Sequence, residues 1–238
     1  MKLIKIDIHV HTCLSPCAEI SISPKRIVEK AHRAGLNLLF ITDHNSVENA
    51  EAAMKKAKEY KDLKVYPGIE ITSMEEVHTL GLFSSLNDAL EAQKILYMNL
   101  PYSLFEKEFK HQVIANEFDE VEGYLKKSLF SSVNINLNTV IDLIHNYNGL
   151  AIAAHIDRPS FSVISQLGFI PENIQYDALE VSPNLGLEKA KSSYPELSQK
   201  YKFVSGSDSH SLESIGNYYM ELQMEDNTFK SFKKYLLN

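Results

Sequence analysis

Short apolar segments alternate with amphipathic ones along nearly the whole chain, and this alternation limits the fold more than any other feature. Residues 3–8 and 36–41 have the length and apolar character of strands. Between them, Ser23 and Pro24 mark the start of a helix and Gly35 marks its end. Because the alternation continues to a last helix over 228–236, we predict an α/β fold. Its sheet is mostly parallel, open or closed into a barrel, with the helices outside.

The length and regularity of the chain indicate one domain. The 238 residues suffice for a single α/β barrel, and we find no internal linker. The stretch from about 100 to 135 is the least regular, although 112–115 and 120–123 have the pattern of a hairpin. We therefore expect a single domain over 1–238, with an irregular insertion at about 100–135.

The charge of the chain bears on its partners and its location. The 24 basic and 31 acidic side chains give a net charge of −7, which argues against a broad surface for duplex nucleic acid. A nucleotide or short oligonucleotide held at a metal site is compatible with this charge.

The sequence also bears on the location of the protein. We find no signal-peptide pattern and no apolar run of membrane-spanning length. With only two cysteines, four positions apart, we expect a cytoplasmic protein without a membrane partner.

Side chains that bind metals occur where the apolar strands end. Because the carboxyl ends of parallel strands meet at one edge of a sheet or barrel, these side chains can converge there. Histidine and carboxylate are ligands of zinc, iron and manganese. The set exceeds what one ion needs, so it predicts two or three divalent ions in a shared cleft. It comprises His9, His11, His44, Glu70, His78, His155, Asp208 and His210.

The first strand ends in a His-x-His pair that is followed by a turn. Residues two apart in a strand face the same side, so His9 and His11 are close enough to bind one ion. Ser15-Pro16 breaks the strand and can bring the Cys17 thiol back towards the same place. Such a pair alone is a weak signal, and the prediction depends on the other strand ends.

Taken together, these motifs resemble those of the polymerase and histidinol phosphatase (PHP) phosphoesterases. The resemblance spans most of the chain and leaves out residues 100–135. It implies a distorted seven-stranded (β/α) barrel, TIM-like, with its metal site at the carboxyl ends of the strands. It also implies hydrolysis of phosphate esters with up to three divalent ions. The matching segments are His9-x-His11-Thr12, Thr42-Asp43-His44, Gly68-Ile69-Glu70, Val77-His78-x-Leu80-Gly81, Ala154-His155 and Gly206-Ser207-Asp208-Ser209-His210.

Position by position, the resemblance implies three metal subsites, two of which share Glu70 as a bridge. Many family members have His or Asp where this chain has Cys17. A thiolate binds zinc or iron well but disfavours manganese, so Cys17 is either a ligand of the third ion or a spectator beside a dinuclear site. The implied subsites are His9, His11, Glu70 and Asp208; Glu70, His78 and His155; and His44, His210 and Cys17.

The function that these residues predict is metal-dependent hydrolysis of phosphate esters. We expect two or three Zn, Mn or Fe ions as cofactors, and attack by a metal-activated hydroxide. The expected catalytic residues are Glu70, Asp208, His210 and Arg158. Arg158 follows His155 by three positions and either grips the substrate phosphate in bidentate fashion or forms a surface salt bridge.

The sequence leaves the substrate and two rival functions open. Nucleotides, short oligonucleotides and small phosphomonoesters are all candidate substrates. One rival is an amidohydrolase-like metallohydrolase, although no lysine ends a motif strand. The other is a non-catalytic metal-binding regulatory module, although its ligand set would be unusually complete. Aromatic residues in or beside the insertion can either stack on a base or pack in the core: Tyr97, Tyr102, Phe105 and Phe109.

Overall fold

The chain folds around one sheet of eight strands. The computed structural model describes residues 1–105 and 111–237. The sheet runs in the order β10-β1-β2-β3-β4-β7-β8-β9, and β5 and β6 form a separate hairpin. The strands are β1 (Lys2–Val10), β2 (Leu38–Ile41), β3 (Lys64–Thr72), β4 (His78–Leu82), β5 (Val113–Ala115), β6 (Val121–Tyr124), β7 (Leu150–Ala153), β8 (Ala178–Glu180), β9 (Phe203–Val204) and β10 (Met220–Met224).

Helices connect most of these strands, and their ends follow local capping chemistry. Ser23 accepts a hydrogen bond from the Arg26 amide and caps the first helix, as predicted. Asn136 caps a later helix in the same way, since its side chain accepts from the Thr139 amide. The helices are α1 (Pro24–Arg33), α2 (Ala50–Ala57), α3 (Leu86–Asn99), α4 (Leu137–Asn146), α5 (Val163–Leu167), α6 (Leu187–Ser193), α7 (Pro195–Lys200) and α8 (Phe229–Leu237).

The sheet nearly closes on itself, which confirms the predicted distorted barrel. Strands β1, β2 and β3 are parallel, as are β7, β8 and β9. Beyond β9 the chain returns to the end of β1, where Val10 forms a parallel bridge with Ser209 and the His11 amide donates to the Ser209 carbonyl at 3.1 Å. The seven strands β1–β4 and β7–β9 form the barrel wall. The eighth, β10, pairs antiparallel with β1.

One barrel strand runs against the others. β4 is antiparallel to both β3 and β7. His78 is its first residue, not its last as the sequence pattern suggested. Because β4 is reversed, its beginning lies at the edge where β3 and β7 end, so His78 still reaches the same edge as Glu70 and His155.

A β-bulge in β1 sets the direction of the first histidine pair. Between Asp7 and Val10 the pairing with β2 shifts by one residue. Before the bulge, Ile4, Ile6 and Ile8 pack in an inner core with side chains of β2, β4, β7 and α8. After it, Val10 packs in the outer core with α1, α2 and α3. The bulge thus exchanges the inward-facing and outward-facing positions of the strand, and His9 and His11 face inwards.

The predicted insertion contains the predicted hairpin. β5 and β6 pair antiparallel, and residues 106–110, with Phe109, lie outside the described residues. The buried Gln112 side chain fixes the segment that follows the hairpin. Its amide donates to the carbonyls of Leu125 and Lys127, each at 2.6 Å, and accepts from the Leu129 amide.

Among the helices within the described ranges, none combines the length and apolar character that a membrane crossing requires.

A return loop, residues 205–219, carries Asp208 and His210 from β9 towards β10 and packs on the end of α1. Gly216 in this loop has a φ of +80°, and a Cβ there would lie 2.3 Å from the Cβ of Ala34. Gly35, with a φ of +75°, has open space where its Cβ would be. Both glycines adopt a left-handed conformation, but only at Gly216 would an added Cβ clash with a neighbouring side chain.

We predict that Gly216→Ala lowers the free energy of unfolding by about 3 kcal/mol, because it adds a steric clash to the cost of a left-handed alanine. Gly35→Ala should lower it by about 1 kcal/mol, the conformational cost alone. Urea unfolding in the presence of EDTA measures both. Equal losses for the two variants would show that the return loop does not pack tightly against α1.

Candidate metal centre

Glu70 lies at the middle of a cluster of imidazoles. Its carboxylate is 1% exposed and belongs to β3. Side chains from β1, β4, the segment after β2 and the segment after β7 meet there. Within the described residues, five rings approach its two oxygens to between 2.8 and 3.4 Å: His9, His11, His44, His78 and His155. The structure thus brings together side chains that the sequence placed at separate strand ends.

Asp208 forms a second carboxylate centre beside Glu70. Its Oδ1 lies 3.4 Å from His9 Nε2 and 3.2 Å from His11 Nε2, and those two nitrogens are 3.2 Å apart. The ligand atoms of His9, His11 and Asp208 all lie within 4.8 Å of one another. The same holds for His44, Glu70 and His78, and for His11, His44 and His210. Nitrogen and carboxylate oxygen at such spacing form a donor set that suits divalent cations.

A carboxylate that the sequence analysis missed fixes the orientation of His9. Both oxygens of Glu180 lie 3.0–3.1 Å from His9 Nδ1, which leaves Nε2 directed at Glu70 and Asp208. Glu180 also accepts from the backbone amide of His155. Such a carboxylate–histidine pair sets the tautomer and basicity of a metal ligand. The signal was present, because Glu180 is a charged residue between Leu179 and Val181 in a buried strand, as Glu70 is in its own.

A hydroxyl relay fixes His11 in the same way. The His11 Nδ1 lies 3.0 Å from Ser15 Oγ, which donates to Asp43 Oδ1 at 2.7 Å. Because the one hydroxyl proton of Ser15 is donated to Asp43, Nδ1 of His11 must be the donor in its contact with Ser15. The Ser15 oxygen also accepts from the His44 amide. Asp43 is held in turn by the amide and hydroxyl of Thr12. His11 Nε2 is therefore the nitrogen directed at the centre, towards Glu70 and Asp208.

The charges of this cluster favour added positive charge. Burial opposes protonation of His9, yet Glu180, Asp208 and Glu70 outweigh it and raise its pKa well above the usual value. The pKa of His11 rises to about 9 against burial, because Asp208 and Glu70 accept hydrogen bonds from it. Burial likewise opposes ionisation of Glu70, but His78, His9 and His44 hold its pKa well below the usual range. A divalent cation would supply that positive charge without protons.

His44 and His210 occupy a different electrostatic position. Burial, reinforced by His11 and other neighbouring imidazoles, lowers the pKa of His44 well below its usual value. Burial and the nearby His11 lower that of His210 to about 4. Both rings are thus neutral near pH 7, which is the form that binds a metal. His210 Nδ1 lies 2.8 Å from the backbone oxygen of Asp208.

Cys17 lies in the wall of the cleft, as the turn after β1 predicted. The residue as a whole is exposed, whereas partial burial of the thiol in the cleft wall and the nearby Glu70 and Asp208 carboxylates raise its pKa to about 12. In the described part of the chain, the group that contains His44 and His210 is completed by His11 and not by Cys17. Ligation by Cys17 stays a prediction.

A cleft of about 240 Å³ opens above the cluster. Arg158 stands in its wall and pairs with the buried Asp208, with 2.5 Å between Nη1 and Oδ2. This contact is not the surface salt bridge that was one alternative for Arg158. Phe161 stacks on the His78 ring with 4.7 Å between ring centroids. Phe161, His155 and Asp208 have positive φ values of 56°, 30° and 50°, and such strain is concentrated at functional sites.

The sequence as a whole matches a known family. The model of the PHP domain matches residues 7–236. Among curated proteins, a 5′-3′ exoribonuclease of Haemophilus influenzae is 23% identical over 191 residues, which are 63% of this chain and 68% of that protein.

Solved structures share the fold. Endonuclease Q of Pyrococcus furiosus, a lesion-specific endonuclease, superposes with a TM-score of 0.73 at 17% identity. The match covers 99% of this chain but 56% of the endonuclease, so the chain spans just over half the length of that protein. A metal-dependent phosphoesterase from Bifidobacterium adolescentis superposes with a TM-score of 0.63 at 19% identity, over 97% of this chain and 95% of the other.

The prediction that the protein has no broad surface for duplex nucleic acid is wrong. A structure of endonuclease Q, with a TM-score of 0.72 to this chain, contains a 27-mer duplex with an abasic lesion at the active site. The net charge of −7 had been read as evidence against a broad surface for duplex nucleic acid. Net charge sums the whole surface, whereas a nucleic-acid backbone responds to the groups near its phosphates, bound cations included.

We predict that Glu180→Gln weakens the binding of Zn²⁺ or Mn²⁺ about 10- to 100-fold. The amide removes the negative charge opposite His9 and cannot accept at both oxygen positions, so it faces either the His9 or the His155 N–H with a donor. Chelator competition measures the affinity.

Glu188→Gln is the matched control, because Glu188 is an exposed residue of α6. It should leave metal affinity unchanged. Identical affinities for Glu180→Gln and the wild-type protein would rule out a role for Glu180 in orienting a metal ligand.

Proposed function

The chain belongs to the PHP domain family, and we propose on that premise that it is a metal-dependent phosphoesterase that hydrolyses phosphodiesters of nucleic acid. The observation that carries the proposal is the cluster of imidazoles and carboxylates around Glu70 at the floor of an open cleft. The proposed substrate class is supported by the exoribonuclease and the endonuclease among the similar proteins.

The residues of the cluster fit divalent cations. They combine imidazole nitrogens with ionised carboxylates in a buried site whose field favours positive charge. When bound, such cations neutralise phosphate oxygens and acidify water, which is the chemistry that phosphate-ester hydrolysis needs. We propose two or three ions of Zn, Mn or Fe. The residues that would hold them are His9, His11, Glu70 and Asp208 for the first, Glu70, His78 and His155 for the second, and His44 and His210, with Cys17 or His11, for the third.

The chain prepares this site before any substrate arrives. Glu180 and the Ser15–Asp43 pair hold the imidazoles of His9 and His11 with one nitrogen directed inwards. Preorganised donors of this kind need no rearrangement during the reaction. In the described part of the chain, the inner core below the cluster is apolar, and the cluster opens to solvent through the cleft.

Arg158 provides fixed positive charge at the edge of the cluster. One end of its guanidinium pairs with Asp208, and the side chain is 40% exposed in the cleft wall. A guanidinium has five N–H donors, so donors beyond the one directed at Asp208 can reach a phosphate oxygen. We propose that Arg158 binds the substrate phosphate and holds Asp208 in place.

We further propose that residues 1–238 make one catalytic domain, as the sequence predicts. The insertion at about 100–135 would be its substrate-facing part, since Leu129 and Phe130 line the cleft.

The two rival functions predict different activities for the metal-loaded protein. A non-catalytic module would bind metal without turnover, and an amidohydrolase-like enzyme would cleave C–N bonds.

We predict that the Mn²⁺- or Zn²⁺-loaded protein hydrolyses bis(p-nitrophenyl) phosphate and single-stranded RNA, and that Glu70→Gln lowers kcat/KM about 100-fold or more. The amide cannot supply the charge of the central carboxylate, which is worth several kcal/mol at such a site. Steady-state rates and metal content by mass spectrometry measure the effect.

Glu188→Gln again serves as the control and should keep wild-type rates. A wild-type protein that binds metal stoichiometrically but cleaves neither substrate would favour the regulatory module. Cleavage of amide substrates without cleavage of phosphodiesters would favour the amidohydrolase-like enzyme. Either result would contradict the proposal.

A further inference from the structure

Phe130 presents a large apolar ring to solvent at the mouth of the cleft. The residue is 68% exposed and lines the cleft that contains Glu70, Arg158 and Asp208. Its neighbour Leu129 is buried in the outer core. Exposed aromatic rings on a protein surface are ordinary, but a ring held in place beside an active site requires an explanation.

Buried side-chain amides fix the backbone on both sides of this ring. Asn45, which directly follows His44, donates to the carbonyls on either side of Phe130, at 3.3 Å to Leu129 and 3.0 Å to Ser131. The Asn45 side chain is fully buried, and its oxygen accepts from the Thr72 amide. Gln112 fixes the same segment through the Leu129 amide. The position of Phe130 is therefore coupled to the metal centre by hydrogen bonds and not left to a free loop.

A second aromatic ring lines the same cleft. Phe161 is 41% exposed, and its carbonyl accepts from the His78 amide at 2.8 Å. Its φ of 56° is unfavourable for a bulky side chain. Both Phe130 and Phe161 are thus kept exposed at the cleft by the backbone around the metal centre.

A groove continues from the cleft past Phe130. It has a volume of about 470 Å³ and shares Phe130 with the cleft. Tyr102 lines it and is 66% exposed, so core packing, one alternative for this residue, does not apply. Lys127 Nζ lies 3.9 Å from the centre of the Tyr102 ring. The segment that carries Tyr102 is fixed by backbone pairing with Lys127 and by the Ser103 amide, which donates to the Lys126 carbonyl.

We propose that Phe161, Phe130 and Tyr102 form an aromatic track that binds one strand of nucleic acid by base stacking. The proposal rests on the proposed function, since it places the scissile phosphate at the cluster around Glu70. A nucleotide with its phosphate there has its base beside Phe161 or Phe130. The next nucleotide enters the groove and stacks on Tyr102, beside the ammonium group of Lys127.

The chemistry of the track favours nucleic acid over a small phosphomonoester. Every base has a flat π-face, and proteins that bind single strands combine aromatic side chains with basic groups. The basic groups here are Lys127, over the Tyr102 ring, and Arg158 in the cleft wall. A small phosphomonoester would fill the cleft and leave the groove unused. The track therefore predicts that affinity rises with the number of nucleotides.

Two measurements test the track on the Mn²⁺-loaded protein. The first is the affinity for a 5′-fluorescein-labelled octa-adenylate with phosphorothioate linkages, by anisotropy. The second is kcat/KM for unmodified octa-adenylate and for bis(p-nitrophenyl) phosphate. We expect Phe130→Ala and Tyr102→Ala each to weaken octamer binding about 10- to 100-fold. The loss of kcat/KM should be at least about tenfold greater for the octamer than for the small diester, and Phe130→Tyr should restore most of it.

Phe118→Ala is the matched control. Phe118 is 67% exposed in the turn between β5 and β6 and lines neither the cleft nor the groove, so its loss should change nothing. Equal losses on both substrates, no effect of either variant, or a wild-type protein that does not bind the octamer would each overturn the track. Tight, Phe130-dependent binding without hydrolysis of either substrate would instead uphold the track and contradict the proposed function.

Discussion

The architecture depends on one buried carboxylate. Glu70 is ionised although it is almost fully buried, and an unpaired charge there would cost several kcal/mol. The cost is offset by imidazoles that arrive from four different parts of the chain. A different local feature of the backbone positions each of these imidazoles. A β-bulge turns His9 and His11 inwards, and a reversed strand brings His78 to the same edge. His155 itself adopts a positive φ of 30° at its strand end.

The same constraint explains the layer around the cluster. Imidazoles that meet at 3 Å must each present a chosen nitrogen, and the protein makes that choice with Glu180 for His9 and with Ser15 and Asp43 for His11. These partners are as buried as the histidines they orient. Further out, Asn45, the residue after His44, donates hydrogen bonds to the backbone on both sides of Phe130 and so fixes that segment. The cleft rim and the cluster around Glu70 are parts of one hydrogen-bonded structure.

Much of this could be predicted from the sequence, for a definite reason. Strand ends of parallel α/β folds converge, so ligand-type residues after apolar strands identify the cluster without any knowledge of distances. What could not be predicted depends on pairing register and on local charge. The direction of β4 and the bulge in β1 are set by neighbouring strands, and no local pattern specifies them. Glu180 could have been found by the argument used for Glu70. The inference from net charge about duplex nucleic acid failed because a sum over the surface says nothing about one cleft.

The central claim is that Glu70 and the imidazoles around it would hold divalent cations in common. Anomalous X-ray diffraction from crystals grown with Mn²⁺ or Zn²⁺ tests it most directly. The account predicts at least two anomalous peaks, each about 2.0–2.2 Å from an oxygen of Glu70, with His9 and His11 on one side and His78 and His155 on the other. Full occupancy of cations elsewhere on the protein, with no peak beside Glu70, would contradict it.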